Sequence, residues 1–136
     1  MKKLILHNIF LATTYIIVAK FCQLLSIEPG NITPIWASSG ICFIWVYLKG
    51  YKLLPGVFLG AFCGNVSAYI FPFQSDTIFS AISSGIFNGV GDVLCTTVGV
   101  YFCKRINLNR PILSDIKRTL VFVFMAAIVG PAISAL

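Results

Sequence analysis

Long apolar runs separated by short polar connectors leave this chain few ways to fold. The runs extend from Leu4 to Leu25, Pro34 to Leu48, Leu53 to Phe73, Thr77 to Cys103 and Thr119 to Leu136. A helix needs about 20 apolar residues to cross roughly 30 Å of hydrocarbon. The runs lack the period-two alternation of a membrane barrel. Within lipid each segment must pair its own backbone groups, so helices remain. The pattern predicts an all-α integral membrane bundle of about five transmembrane helices, over 4–25, 34–48, 53–73, 77–103 and 119–136. Composition agrees. Of 136 residues, 58% are hydrophobic and 10% charged, and mean hydropathy is +0.93. A soluble fold of this size could not cover so much apolar surface.

Breakers stand where helices should end. Glu28-Pro29-Gly30-Asn31 separates the first two runs, with Thr33 as a cap and Pro34 in the first turn of the second. Lys49-Gly50-Tyr51-Lys52 is a tight connection in which Gly50 can take a positive φ. Pro72 and Gln74-Ser75-Asp76 mark the next turn, and 104–118 is the one substantial loop, where Ser114 can cap the last helix. Lys2 and Lys3 precede an apolar stretch as in a signal peptide. No small-residue cleavage site follows, however, so this segment reads as a retained first helix.

Charge sets the expected orientation. Lys2, Lys3, Lys49, Lys52, Lys104, Arg105, Arg110, Lys117 and Arg118 all fall on one side if every run crosses. The other side carries Glu28 and Asp76. The positive-inside rule then places the amino terminus in the cytoplasm. The net charge of +6 is thereby read as topology, and no nucleic-acid partner is expected.

Several residues within the runs invite a role. Gly56, Gly60 and Gly64 recur every fourth residue, and Gly85 and Gly89 repeat the spacing. Such stripes let helix backbones approach closely, so these five are read as helix-packing positions. Asp92 lies near the middle of the fourth run, where a carboxylate is a functional candidate by default. Asn88, one turn before it, extends a polar stripe. Asn65 is expected to bond to another helix, and Trp36 to anchor the outer end of the second. Trp36, Asn65, Asn88 and Asp92 are the candidate ligand-binding residues. Lys20 reads as snorkelling to the interface, and His7 as incidental. Cys22, Cys42, Cys63, Cys95 and Cys103 form no metal-binding spacing and read as small hydrophobes. No catalytic set, metal site or cofactor loop is present in the pattern, so no enzyme activity, metal or cofactor is expected.

Two stretches carry a family likeness. Pro34-Ile35-Trp36-Ala37-Ser38-Ser39-Gly40-Ile41 is followed by Lys49-Gly50-Tyr51-Lys52-Leu53-Leu54-Pro55-Gly56-Val57-Phe58-Leu59-Gly60-Ala61. Together they resemble the membrane-associated sensor domain of the first type, the MASE family. That family shows a Pro-x-Trp-x-x-x-Gly element, a short basic hairpin and a Pro-x-x-x-Leu-Gly helix start. Ser114-Asp115-Ile116-Lys117-Arg118 and Gly130-Pro131-Ala132-Ile133-Ser134-Ala135 resemble its next loop and helix. Trp36, Gly40, Pro55 and Gly60 match the pattern, and Asn88 and Asp92 roughly match its polar fourth helix.

The resemblance implies a multi-pass sensory domain of the bacterial inner membrane. It implies an input role ahead of a histidine kinase or a cyclic-di-GMP enzyme. The family's domain is longer and leads into an output domain, so this chain is expected to be incomplete or to work with a partner. Self-association or a signalling partner protein is therefore expected, beside the lipid bilayer itself. The alternative from a different class is the substrate-binding membrane subunit of a small-solute transporter, with Asp92 and Asn88 in the pocket. A membrane scaffold is the third reading.

Overall fold

A computed structural model describes residues 2–26, 36–70 and 78–106, together with 116, 119, 120 and 124. Apolar residues without breakers produce four α-helices: α1 (Lys2–Gln23), α2 (Ala37–Lys49), α3 (Leu54–Ile70) and α4 (Ile78–Ile106). A single 3₁₀ turn, Tyr51–Leu53, joins α2 to α3. Among the described residues there is no strand. At 1.5 Å per residue α1 is about 33 Å long and α4 about 43 Å. Lys2–Gln23 and Ile78–Arg105 are long and apolar enough to cross a membrane, and Ala37–Lys49 is a shorter apolar helix. Apart from Thr119, Leu120 and Phe124, which are helical, the expected fifth helix lies outside the described residues.

Helix ends differ from the expected ones in instructive ways. The second helix begins at Ala37, after an N-cap at Trp36 with φ −117° and ψ 78° and no side-chain cap. Thr33 and Pro34, expected at this end, lie outside the described residues. The Trp36 indole is committed to α1 instead, as described below. Gly50 closes α2 with φ 96° and ψ 169°, a combination open essentially to glycine alone. Its N–H donates to the Val46 carbonyl at 2.8 Å. The fourth helix continues to Ile106, three residues beyond the apolar run.

Contacts give the directions of the helices. Asn8 meets Gly56 and Ala19 meets Gly64, so α1 and α3 run parallel. Phe58 packs on Gly89 while Phe62 and Val66 pack on Gly85, so α3 and α4 are antiparallel. Phe10 lies against Trp45 and Tyr15 against Trp36, which makes α1 and α2 antiparallel. The four helices therefore alternate up and down. The start of α1, the turn between α2 and α3, and the end of α4 gather at one end of the bundle. Lys2, Lys3, Lys49, Lys52, Lys104 and Arg105 are all at that end.

The core is narrow and built at glycine contacts. A Cβ on Gly60 would stand 2.7 Å from Tyr15 Cβ, and one on Gly56 2.7 Å from the Asn8 carbonyl oxygen. Leu11, Tyr15, Val46, Val57, Ala61 and Val100 are fully buried. Large apolar side chains cover the outside: Leu24 is 80% exposed, Phe79 81% and Phe87 77%. In water such a surface would be an aggregation liability; lipid tails solvate it. Polar side chains inside the helices bond to their own backbone, as Thr14 does to Phe10 (2.9 Å) and Thr97 to Val93 (2.6 Å). A segment in hydrocarbon has no water to offer these hydroxyls.

Candidate functional site

One polar cluster crosses the middle of the bundle. Tyr15 of α1 is held in place by its ring, which packs against Gly60 and Gly64 of α3. The absence of side chains at those two positions leaves room for the ring close to the α3 backbone. Its hydroxyl donates to Asp92 Oδ2 on α4. The Ser39 hydroxyl of α2 donates to Asp92 Oδ1 at 3.0 Å. Trp36 Nε1, at the start of α2, donates to the Tyr15 hydroxyl oxygen at 2.8 Å. Both carboxylate oxygens are thus engaged, and α1, α2 and α4 are joined through four side chains. Ser38 Oγ, beside this network in sequence, is buried and has no hydrogen-bond partner among the described residues. Thr96, one turn after Asp92, is also buried.

The candidate ligand-binding residues separate into two groups. Trp36 and Asp92 share the network. Asn65 donates to the Ala61 carbonyl of its own helix at 2.8 Å, and among the described residues it makes no bond to another helix, the partner its sequence position suggested. The carbonyl one turn earlier on the same helix is within reach of the amide without crossing a gap between helices. Asn88 is exposed on α4, and the network forms without it. Lys20 is exposed near the end of α1. His7 Nδ1 lies 2.6 Å from the Lys3 carbonyl oxygen on the exposed side of the same helix.

Tyr15 and Ser39 are the network members that sequence reasoning missed. Nothing in their local pattern distinguishes them from other aromatic and small polar residues in apolar helices. A third missed residue is Asn8. Its Oδ1 accepts the Gly56 N–H at 2.7 Å, and its Nδ2 donates to the Lys52 carbonyl at 3.2 Å. The first N–H groups of a helix have no partner within it. Asn8 supplies one from a different helix, capping α3 in trans.

An up-and-down bundle of apolar helices, sealed by glycine contacts and crossed by a half-buried carboxylate network, defines a membrane-embedded helical domain. The chain belongs to the MASE1 family, whose model matches residues 7–136. MASE1 is a membrane-associated sensor domain of signalling receptors. Neither a curated protein nor a solved structure matches the chain.

Proposed function

We propose that this chain is the sensory input domain of a bacterial signal-transduction receptor that drives a histidine kinase or a cyclic-di-GMP enzyme. In this reading it is a multi-pass, non-catalytic domain of the inner membrane, with its amino terminus and basic connections in the cytoplasm. The observation that carries the reading is the Trp36–Tyr15–Asp92–Ser39 network. An intramembrane carboxylate is expensive to keep and is retained where it does something. Here it couples three helices, so a stimulus that changes its partners changes how those helices sit. Such rearrangement of packed helices is an established way to carry a signal across a membrane domain.

The test uses the native product, tagged at its chromosomal locus, with output read as kinase autophosphorylation or cellular cyclic-di-GMP. Asp92→Asn and Trp36→Phe should each change the output severalfold at unchanged protein level in the membrane fraction. An output indifferent to both substitutions overturns the reading. Solute uptake into vesicles that Asp92→Asn abolishes would replace it with the transport alternative. Orientation is tested separately. A cysteine placed at Lys52 should react with an impermeant maleimide in inverted vesicles and not in intact cells.

A further inference from the structure

The basic end of the bundle holds a second polar feature, far from the Asp92 network. A cavity of about 560 Å³ opens there, lined by Tyr51, Tyr101, Lys104 and Arg105. Lys104 Nζ lies 5.1 Å from the centre of the Tyr51 ring and 5.8 Å from that of Tyr47. These two faces steady the ammonium by cation–π attraction, and among the described residues its N–H donors have no hydrogen-bond partner. Arg105 Nη1 donates to the Tyr101 hydroxyl at 3.2 Å. That bond occupies one of five guanidinium donors and orients the rest. Two cations are thus held in position by tyrosines from α2, the 3₁₀ turn and α4 around one concave space.

Topology accounts for the presence of lysine and arginine at this end, and aromatic residues are common at the interface. Neither explains why both cations and both hydroxyl-bearing rings converge on one cavity. A fork of guanidinium donors beside an ammonium is complementary to a phosphate group. The groove lies at the basic end of the bundle, where two helices long enough to cross a membrane terminate; helices that span the bilayer end at its headgroups. Basic pockets between transmembrane helices at this depth take anionic lipid headgroups. We propose that this groove binds a phosphate group, and that the phosphate is supplied by the headgroup of an anionic phospholipid. The site is independent of the sensory reading above, since it shares no residue with the Asp92 network.

The test reconstitutes the full chain in phosphatidylcholine nanodiscs and titrates in phosphatidylglycerol, with bound lipid counted by native mass spectrometry. Lys104→Gln with Arg105→Gln should weaken retention roughly 10- to 30-fold for two lost charges. Lys2→Gln with Lys3→Gln removes equal charge at the same end and should change it less than twofold. Tyr101→Phe, which frees Arg105, should weaken retention by a smaller factor while keeping both charges. Circular dichroism checks that helix content is retained in each variant. Equal losses in the two double variants would overturn the proposal in favour of diffuse surface charge, and an unchanged groove variant would overturn it outright. Inorganic phosphate provides the other arm. If millimolar phosphate displaces the lipid, the occupant is a soluble anion and the headgroup assignment fails; if it does not, the lipid source stands.

Discussion

The hydroxyl of Tyr15 donates to the carboxylate of Asp92, tying the first helix to the fourth across 77 positions of sequence. The same hydroxyl accepts from Trp36, so one oxygen serves three helices. Removing it isolates its effect, because the ring remains to fill the space against Gly60 and Gly64. Tyr15→Phe leaves one carboxylate oxygen and the Trp36 N–H without partners. Interhelical bonds in membranes are worth about 0.6 kcal/mol on average and up to about 1.7, and stranding a buried polar group adds to that. The variant should lose about 1–2 kcal/mol, measured by thermal melting in detergent. Ser39→Ala removes only the bond to the other oxygen and should lose less.

Gly60 and Gly40 differ in what a methyl group would meet. At Gly60 the added carbon would lie 2.7 Å from Tyr15 Cβ and 3.1 Å from Ala12 Cα, both close to rigid backbone. Gly60→Ala should force α1 from α3 and destabilise the bundle by about 1–3 kcal/mol. At Gly40 nothing lies within 4 Å. Gly40→Ala should be neutral or stabilise α2 by up to about 1 kcal/mol, since alanine is the better helix former. A comparison of melting temperatures distinguishes the two sites. An equal loss at both would contradict the α1–α3 contact.

Asn8 should act as a cap for a helix it does not belong to. Asn8→Ala deprives the Gly56 N–H of its acceptor. Loss of an N-cap typically costs about 1 kcal/mol. The sharper readout is hydrogen exchange, which should accelerate at the Gly56 amide and leave the centre of α3 unchanged. Asn8→Asp keeps the accepting oxygen and should preserve the protection at Gly56.

Gly50 lies in a backbone region that a side chain resists, with φ 96° and ψ 169°. No atom lies within 4 Å of an added Cβ, so any penalty there is conformational and not steric crowding. Gly50→Ala should cost about 1–3 kcal/mol, seen as a lower melting temperature. Because the turn places Tyr51 beside Lys104, the same variant should also weaken lipid retention at the basic groove.

Much of the architecture was legible before any coordinates. Apolar runs longer than a soluble core helix, with glycine, proline and basic residues between them, announce membrane helices because lipid leaves the backbone no other way to satisfy its hydrogen bonds. The boundaries were less legible. Ala37 starts α2 where Pro34 looked better, because composition does not reveal that Trp36 turns its indole towards α1. Asp92 stood out as a lone carboxylate in an apolar segment. Its partners Tyr15 and Ser39 did not, because tyrosine and serine are ordinary in such helices. Asn65 and Asn88 looked alike in sequence, yet one bonds to its own helix and the other is exposed.

The sequence by itself determined the solvent, the helical class and the end of the bundle that is basic. Each follows from the summed hydropathy and charge of contiguous residues, which no tertiary arrangement can alter. The tertiary structure decided which polar groups meet. That depends on the rotation of each helix about its axis and its offset against its neighbours. Both are set by where Gly56, Gly60 and Gly64 allow α1 to close on α3, and Gly85 and Gly89 allow α3 to close on α4. A shift of one residue in any of these contacts turns a helix by about 100° and would take Tyr15 away from Asp92.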